Sequence, residues 1–537
     1  MKREMYKKGH SNRDFIYLFL KLLIIALGFI TLLTLCMTSL LKREYIIPYF
    51  EGLVIRSNGV KFILASITGV TILVIGHSLL RKINSRQLFL FFTVVFFISG
   101  LYLVINASTE LNKADPLFVY KIANQMNHGD FKALLPSYSK IPGEGYKGYL
   151  AVYPFQLGFV TYLRLLEVFS TNVRFLYFVN VLLVIIINFI LYKIVGLVTK
   201  NNITAQNWTV LLTYSFLPML FFTLFIYGNI PGLCACLAAV YFGIRVLNSS
   251  SKRKFDWILC VLCFCIAYQL KSNYQISAIA LGIIFIMHAI KERSWKPFLV
   301  TLAIFTTMYG SNTLIKTFYR LESGYQIQKG VPMNAYLTMG LQPDSSGDRG
   351  PGWYNSYTVI LYGKENSNSE KTAQVAKRNL KEEINFYQKH PKKAYEFFLS
   401  KFISTWSDPT FQSVWIAPWK QSPRTKILKN IYYSNYNYQA CESSRRGCWY
   451  QKSMKYISIW CNFTVVAILA LSLGMLIRKK LCQNFYTLFA VLNLMGGMIF
   501  HLFWETKSQY VIQYIFCLIP VAAMFLGETK NLGTKKK

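Results

Sequence analysis

Long uninterrupted apolar segments recur along almost the whole chain, and they constrain its fold more than any other feature. Most have the roughly 18–25 residues needed to cross about 30 Å of hydrocarbon. Thirteen such segments lie at about 15–41, 62–80, 88–105, 153–170, 175–198, 208–227, 231–247, 257–271, 275–290, 298–315, 456–477, 484–503 and 508–527. Charged residues make up only 15% of the chain, against about 25% in soluble domains. The sequence therefore predicts an all-α polytopic membrane protein with about 12–13 transmembrane segments.

Basic loops predict which ends of these segments face the cytoplasm, because cytoplasmic loops are enriched in Lys and Arg. The net charge of +36 is spread over short loops between the apolar segments, which argues against nucleic-acid binding. The loops predicted to be cytoplasmic are the N-terminus, Arg81–Arg86, Lys252–Lys254, Lys291–Lys296, Arg478–Lys480 and the C-terminal tail. Residues 106–152 and 316–455 are then predicted to be extracytoplasmic, in a multi-pass protein of the cell membrane. The first segment is too long for a signal peptide and is interpreted as a retained span.

One apolar segment conflicts with this sidedness, because thirteen full crossings cannot place 106–152 outside and Lys252–Lys254 inside. The segment 153–170 is the weakest candidate for a crossing, since it contains Arg164 and Glu167. We therefore expect it to be a short, tilted or re-entrant helix, which is tolerated where it is buried in protein. Twelve crossings with both termini in the cytoplasm would remain.

The chain then divides into five regions. They are N-terminal transmembrane segments (1–105), an extracytoplasmic catalytic loop (106–152), a transmembrane core (153–315), an extracytoplasmic domain (316–455) and C-terminal transmembrane segments with a basic cytoplasmic tail (456–537). The region 316–455 has 21 Lys and Arg against 10 Asp and Glu, a net charge of +11. That excess suits a polyanionic acceptor or lipid phosphates, and a merely solvated surface explains it equally well.

Within the region 316–455, residue patterns predict helices at Lys371–Tyr387 and Pro391–Trp406, with the proline in the first turn of the second helix. The domain is therefore expected to be mainly α, with an α+β arrangement as the alternative. Cys441 and Cys448 flank a short polar run, CESSRRGC. Outside the cell they could form a disulfide, and two reduced thiols fit the sequence nearly as well.

The predicted loop 106–152 carries the most suggestive side chain, the carboxylate of Asp115. It precedes a proline at the head of an amphipathic segment, and Phe118, Tyr120 and Tyr153 follow it. A carboxylate in this setting can act as a general base or as a metal ligand. An Asp before Pro is also an ordinary helix N-cap. Two other acids of the loop, Glu110 and Asp130, compete for the same role.

Other polar residues lie within or at the ends of apolar segments, where they are costly and often functional. Asn229 lies in IYGNIPG, and Lys271 lies in YQLKSNYQ. Glu505, Lys507 and Tyr510 lie in FWETKSQYVIQY, at the predicted outer end of a segment. A basic group at that end could bind a lipid phosphate. Snorkelling or an interfacial ion pair is the simpler explanation, and it is the one expected for Lys271.

Several common catalytic motifs are missing from the sequence. It has no G-x-S-x-G, no glycine-rich phosphate loop and no H-E-x-x-H motif, and its six histidines are scattered. These absences argue against a serine hydrolase of the nucleophile-elbow type, against nucleotide hydrolysis and against zinc proteolysis.

Five sequence stretches together resemble the GT-C glycosyltransferase superfamily. In chain order they are ADPLFVYKIANQMNHGDF, YPFQLGFVTYLRLLEVF, FLPMLFFTLFIYGNIPG, GVPMNAYLTMGL and FWETKSQYVIQYIFCLIP. More narrowly, they resemble the bacterial branch related to protein mannosyltransferases and lipid A aminoarabinose transferases, of the Gram-positive cell-envelope type. The resemblance runs from about Glu110 to Pro520.

The resemblance implies an enzyme that takes a sugar from a polyprenyl-phosphate carrier and passes it to an extracytoplasmic acceptor. It implies a catalytic role for Asp115, and it places Tyr153 and Pro154, in the run YPFQ that ends at Gln156, at the start of the helix after the catalytic loop. Asn229 stands where relatives have an acid, so the resemblance supplies no second acid there.

Near the C-terminus, relatives have a Glu followed by Arg-Tyr, and this chain has Gln509 before Tyr510. The role of binding the lipid phosphate is therefore carried over to Lys507, with Glu505 beside it. No cofactor is certain, and the need for a divalent cation, Mg²⁺ or Mn²⁺, stays open.

A physical mechanism follows from this resemblance. Asp115 would accept the proton of the acceptor hydroxyl while a basic residue or a divalent ion steadies the departing lipid phosphate. Tyr120, Tyr153 and Trp353 would stack on sugar faces. The expected partners are the lipid bilayer, the polyprenyl-phosphate-sugar donor, a cell-wall polysaccharide or teichoic acid acceptor, and a polyprenyl-phosphate glycosyltransferase and flippase that supply the donor.

Two other functions stay open from the sequence. A flippase or transporter for lipid-linked sugars would need charged residues near the midplane and an internal repeat, whereas the polar residues cluster at segment ends and no repeat is visible. An envelope-polysaccharide polymerase or ligase would use arginines of the outer loops, and Arg349, Arg445 and Arg446 keep that alternative open. A structural scaffold fits the aromatic, carboxylate-bearing loop least well.

Overall fold

A computed structural model describes most of the chain at full-atom detail. The described residues are 2–47, 52–111, 115–136, 148–248, 254–343, 349–416, 447–478 and 484–528. The predicted Cys441–Cys448 pair lies outside the side chains described. The eight cysteines that are described are all reduced thiols.

The protein is predominantly helical, as the apolar segments predict. Nine of its described helices are long and apolar enough to cross a membrane. They are α1 (Lys2–Leu41), α2 (Val60–Leu80), α3 (Ser85–Asn106), α7 (Val173–Val198), α10 (Asn229–Asn248), α12 (Gln275–Glu292), α13 (Lys296–Ser323), α18 (Gly447–Ile477) and α19 (Phe485–Phe503). The described part of the chain is therefore compatible with the predicted multi-pass membrane protein.

Four predicted apolar segments form shorter or broken helices instead. The segment 208–227 forms α8 (Ile203–Ser215) and α9 (Leu217–Phe222), which separate at Phe216 because Pro218 has no N–H to donate to the carbonyl four residues earlier and its ring crowds that carbonyl. The segment 257–271 forms the 17-residue α11 (Lys254–Leu270). The segment 508–527 divides into a 3-10 helix (Ser508–Tyr510), α20 (Ile512–Phe516) and α21 (Ile519–Glu528).

The fourth of these segments, 153–170, forms a 3-10 helix (Pro154–Gln156) and α6 (Leu157–Glu167). With 11 residues and a rise of about 1.5 Å per residue, α6 is far too short to cross a bilayer. The short helix expected from Arg164 and Glu167 is thus present. The total of twelve crossings stays a prediction.

The long helices pack into one bundle with a continuous apolar core. Helix α10 packs against α7 and α11, α8 against α21, and α1 against α18 and α19. By contrast, α2 and α13 have only 11% and 17% of their most apolar windows buried. Their exposed apolar faces are typical of helices that contact lipid.

The described part of the region 316–455 consists of four helices. They are α14 (Met333–Gly340), α15 (Tyr357–Lys364), α16 (Ser369–Lys389) and α17 (Pro391–Trp406). The two helices predicted here are confirmed: Asn368 caps α16 by accepting the backbone N–H groups of Glu370 and Lys371, and α17 begins at Pro391 as expected. Strands occur elsewhere, in an antiparallel hairpin of β1 (Lys42–Ile47) and β2 (Gly52–Ser57).

Three short elements complete the fold around the predicted catalytic loop. They are α4 (Asp115–Asn127), a 3-10 helix (Lys132–Leu134) and α5 (Tyr149–Val152). Helix α4 lies on α6. Its residues Val119, Ile122, Ala123 and Met126 are buried, and this spacing puts them on one helical face. The packing of that face fixes α4 with Asp115 at its first turn.

Candidate active site

Asp115 is the first residue of α4, and its side chain is exposed to solvent. Its carboxylate accepts a hydrogen bond of 3.0 Å from the hydroxyl of Tyr149. Burial, with the nearby charge of Asp115 as the next cause, raises the pKa of Tyr149 well above its usual value. Tyr149 therefore stays protonated and keeps donating to the carboxylate, which holds Asp115 in one orientation while leaving it accessible.

A left-handed glycine places Tyr149 correctly. Gly148 precedes α5 with φ of 75°, a conformation that a residue with a side chain adopts only with strain. The Tyr149 ring then packs 5.6 Å from the Phe118 ring and 5.0 Å from the Tyr153 ring, centroid to centroid. Phe118 and Tyr153 thus surround the acid as the sequence predicts, but they do so through Tyr149, which the sequence did not single out.

The residues from Tyr153 to Gln156 pack next to Asp115. Pro154 is buried beside Gly330, where any Cβ would come within 2.3 Å of the proline ring. Gln156 is also buried, and its amide donates a hydrogen bond to the hydroxyl of Tyr227. Burial raises the pKa of Tyr227 well above its usual value, and Asp115 is the next cause. Tyr227 therefore connects the amide of Gln156 to the Asp115 carboxylate.

Asn229 and Lys271 meet on the other side of Tyr227. The Nζ atom of Lys271 donates to the Oδ1 atom of Asn229 over 2.7 Å. It also lies 5.4 Å from the ring centroid of Tyr227 and 5.0 Å from that of Tyr510. The expectation that Lys271 snorkels outward is wrong, because its ammonium group turns inward to an amide oxygen and two ring faces.

Glu505 and Tyr510 close the site from the C-terminal part of the chain. The Tyr510 hydroxyl donates to the Oε1 atom of Glu505 over 3.2 Å. Glu505 and Asp115 are both within electrostatic range of the half-buried Lys271, so two acids lie near one cation. Lys507 precedes the 3-10 helix Ser508–Tyr510 and is half-buried, and its phosphate-binding role stays a prediction.

Tyr336 and Tyr354 complete a rim of phenols around these charges. Tyr354 is hydrogen-bonded to Tyr153, and Arg349 donates to the backbone carbonyl of Tyr354 over 2.8 Å. Among the residues that the structure describes, the buried hydroxyl of Tyr336 has no hydrogen-bond partner. It lies within electrostatic range of Glu505 and Asp115. A ligand hydroxyl could complete the hydrogen bonding of Tyr336.

Two predicted sugar-stacking residues lie away from this cluster. The Tyr120 hydroxyl donates to the backbone carbonyl of Thr171 over 2.6 Å, and its charged neighbour is Glu167. Trp353 is 2% exposed and packs beside Gly350. The Trp353 ring is thus buried in this conformation and the Tyr120 hydroxyl is bound to the backbone, and the stacking role of both stays a prediction. Tyr153 remains at the site.

The competing acids of the catalytic loop have different environments. Asp130 accepts the backbone N–H of Lys132 over 3.0 Å, so it caps a turn as its position after a glycine predicts. Glu110 is exposed just after α3, where its backbone N–H donates to the Ser108 hydroxyl. Of these three acids, Asp115 is the one that the described contacts place among Tyr149, Tyr227 and Lys271.

A divalent cation fits this arrangement poorly. Mg²⁺ and Mn²⁺ prefer several oxygen ligands, commonly carboxylates. Here Asp115 and Glu505 flank the ammonium of Lys271. No group of three or more His, Cys, Asp or Glu side chains with metal-binding geometry occurs in the part of the chain that the structure describes. Lys271 instead supplies the positive charge that a metal would bring.

A small gap in the packing adjoins the site. Its accessible volume is about 10 Å³, roughly that of one water molecule, and it is lined by Phe159, Tyr162, Leu163, Leu166, Leu176, Asn180, Ile226 and Tyr227. These residues come from α6, α7 and the loop before α10. Because Tyr227 lines the gap and is also close to Asp115, these mostly apolar residues lie next to the charged cluster.

Comparison with known proteins adds no further constraint. No protein-family model matches this chain, and no curated protein matches it. The geometry of the site therefore carries the functional argument.

Proposed function

We propose that this protein is a GT-C type glycosyltransferase that moves a sugar from a polyprenyl-phosphate donor to an extracytoplasmic acceptor. One observation supports the proposal most: an exposed carboxylate, Asp115, lies within electrostatic range of Lys271, whose ammonium group packs over the rings of Tyr227 and Tyr510. A general base and a phosphate-binding cation are two parts that this reaction needs.

The chemistry assigns each group one task. The acceptor hydroxyl oxygen forms a bond to the anomeric carbon, and the bond from that carbon to the phosphate oxygen breaks. The electron pair of the broken bond stays on the lipid phosphate, and Asp115 takes the proton of the acceptor hydroxyl. Lys271 stabilises the negative charge that grows on the phosphate. A single displacement of this kind inverts the anomeric centre.

The neighbouring side chains position these groups. Tyr149 orients the carboxylate of Asp115 through its 3.0 Å hydrogen bond, and Asn229 orients the ammonium of Lys271. Tyr153 and Tyr336 offer ring edges and hydroxyls to the sugar. Arg349 donates a hydrogen bond to the backbone carbonyl of Tyr354. Because this contact lies within the protein, Arg349 gives the polymerase or ligase alternative less support.

The sidedness predicted from the basic loops places this site outside the cytoplasmic membrane, where nucleotide sugars are absent and lipid-linked sugars serve as donors. A cell-wall polysaccharide or teichoic acid is the proposed acceptor, in keeping with the net charge of +11 in the region 316–455. A polyprenyl-phosphate glycosyltransferase and a flippase would then supply the donor.

The proposal is tested with Asp115→Asn and the matched control Asp130→Asn, which changes a half-buried acid of the same predicted loop. In a deletion strain of the source organism, we expect wild type and Asp130→Asn to restore one envelope sugar. Asp115→Asn should insert normally and fail to restore it. Glycan composition of the purified cell wall is the measurement.

A second test reconstitutes the same proteins in liposomes with radiolabelled polyprenyl-phosphate sugars and wall polymer. Wild type and Asp130→Asn should transfer the label to the polymer, and Asp115→Asn should not. Unchanged wall glycans in the deletion strain, together with full complementation by Asp115→Asn, would overturn the proposal. Movement of the donor across the bilayer without transfer would favour a flippase.

A further inference from the structure

The segment 504–510, here called the 504–510 loop, links α19 to α20 and has two sides. One side faces the candidate active site. There the Gln509 carbonyl accepts from the Asn229 amide over 3.3 Å, and Glu505 and Tyr510 lie next to Lys271. The other side is held by two buried ionisable residues of the region 316–455.

The first of these residues is Lys401 on α17, which is 0% exposed. Its Nζ atom donates to two backbone carbonyls, that of Gly340 at the end of α14 and that of Trp504 at 2.8 Å. Burial lowers the pKa of Lys401 to about 7, and the charge of Glu505 opposes that shift. Charged or neutral, the amino group can donate both hydrogen bonds, so it ties α14 and α17 to the first residue of the 504–510 loop.

Backbone contacts around Lys401 leave no room for side chains. A Cβ on Gly340 would lie 2.4 Å from the Phe503 carbonyl oxygen and 2.7 Å from the Glu505 nitrogen. Gly352, with φ of 71°, accepts the Thr506 N–H over 3.1 Å. Gly340 and Gly352 therefore pack directly on the backbone of the 504–510 loop.

The second residue is Asp408, which is 1% exposed. Its carboxylate accepts four hydrogen bonds, from the Ser508 hydroxyl at 2.8 Å, the Thr410 N–H at 2.9 Å, the Thr410 hydroxyl at 2.7 Å and the Gln412 N–H at 2.6 Å. Such a set of donors satisfies a buried carboxylate. One of the four, Ser508, belongs to the 504–510 loop.

We propose that Lys401 and Asp408 are positioning residues that hold the 504–510 loop, so that Glu505 and Tyr510 face Lys271 and the donor phosphate. The loop is thus fixed near both ends by the region 316–455, at Trp504 and at Ser508. That Lys401 and Asp408 hold the loop follows from their contacts alone. That this affects catalysis rests on the proposed function. Because catalysis is sensitive to displacements of about 1 Å, loosening the loop should weaken donor binding.

The experiment compares Lys401→Met and the milder Ser508→Ala with two matched controls. Lys392→Met and Ser400→Ala change exposed residues of the same helix as Lys401. The full-length variants are reconstituted in lipid nanodiscs without substrate. Hydrogen exchange, read by mass spectrometry, then reports the protection of the amides at 504–511.

We expect exchange at 504–511 to rise at least tenfold in Lys401→Met and severalfold in Ser508→Ala, with α10 unchanged. The controls should match wild type. A uniform rise of hydrogen exchange over the whole Lys401→Met protein would mean global destabilisation. In that case the exchange at 504–511 in Ser508→Ala decides whether the loop is held as proposed. Unchanged exchange at 504–511 in Ser508→Ala would overturn the role of Asp408, and an unchanged or uniform result in both variants would overturn the proposal.

A kinetic measurement tests the link to the site. In both variants, KM for the lipid-linked donor should rise at least fivefold, while KM for the acceptor changes less than twofold. Merely structural damage would lower the amount of active protein and leave both KM values unchanged, which would overturn the catalytic consequence. Since exchange is measured without substrate, failure of the glycosyltransferase proposal leaves the loop-holding result intact.

Discussion

At the scale of single residues, Lys271 is where the structure changes the interpretation most. A lysine at the end of an apolar segment is usually explained by snorkelling, yet its Nζ atom is 2.7 Å from Asn229 Oδ1 and lies over the ring of Tyr510. The same contacts give Asn229 a partner, because its side-chain oxygen accepts a hydrogen bond from the Lys271 ammonium group.

A charge-removing substitution tests this role. Lys271→Gln keeps a donor for Asn229 and removes the positive charge, so we expect transfer to fall about 10²–10³-fold, the usual effect of losing one electrostatic stabiliser of a transition state. Lys271→Arg should recover part of the activity. Transfer of label from the lipid-linked donor, in liposomes, is the measurement.

The companion variant Lys507→Gln separates the two candidate phosphate-binding residues, with exposed Lys132→Gln as the control. A small effect in Lys271→Gln beside a large one in Lys507→Gln would move the phosphate-binding role to Lys507, where the sequence resemblance first placed it.

At the scale of helices, α6 shows how a charged segment can stay inside a bundle without crossing the membrane. The Arg164 guanidinium binds both oxygens of Glu322 on α13, at 2.7 and 2.6 Å. Its Nε atom donates to Asn127 on α4 over 2.9 Å. Arg164 therefore joins three helices, and through α4 it supports the element that carries Asp115.

A double-mutant cycle measures this joint. Arg164→Met and Glu322→Gln should each lower the free energy of unfolding by about 1–2 kcal/mol, with a coupling energy of about 1 kcal/mol, because the pair is bidentate and largely shielded from water. Unfolding by sodium dodecyl sulfate in mixed micelles gives these values.

The control cycle uses Lys329 and Glu370, which lie 2.7 Å apart with side chains 74% and 75% exposed. We expect almost no coupling there, as is usual for surface ion pairs. Equal coupling energies for the two pairs would contradict the proposed joint.

At the scale of the whole molecule, four separate parts of the chain meet at one end of the bundle. Asp115 and Asn229 are the first residues of α4 and α10, and Lys271 and Glu505 follow α11 and α19. The sidedness predicted from basic loops puts all four on the extracytoplasmic side. That side stays a prediction, because it rests on the loops alone.

Cysteine labelling tests the sidedness directly. Single cysteines introduced at exposed Lys132 and Lys392 should react with a membrane-impermeant maleimide in intact cells. Cysteines introduced at exposed Lys82 and Lys296 should react only after permeabilisation. The unmodified protein is the background control, and labelling of position 82 in intact cells would contradict the predicted orientation.

The sequence alone determined the helical class and most long helices. It also singled out Asp115, which begins α4. Apolar runs of about 20 residues have few alternatives to a membrane helix. A proline after Asp115 and one at Pro391 mark helix starts through local backbone geometry. These features depend on neighbouring residues in the chain, and for that reason they can be read from it.

Only the tertiary structure decided which side chains surround Asp115. Tyr149, Tyr227 and Lys271 come from different elements, and no spacing in the sequence assigns them to Asp115, because the direction of a side chain depends on how whole helices pack. Tyr120 and Trp353 are aromatic residues of the expected regions, yet helix packing directs them elsewhere. Lys401 likewise reads as one lysine among many until its burial against Gly340 and Trp504 is seen.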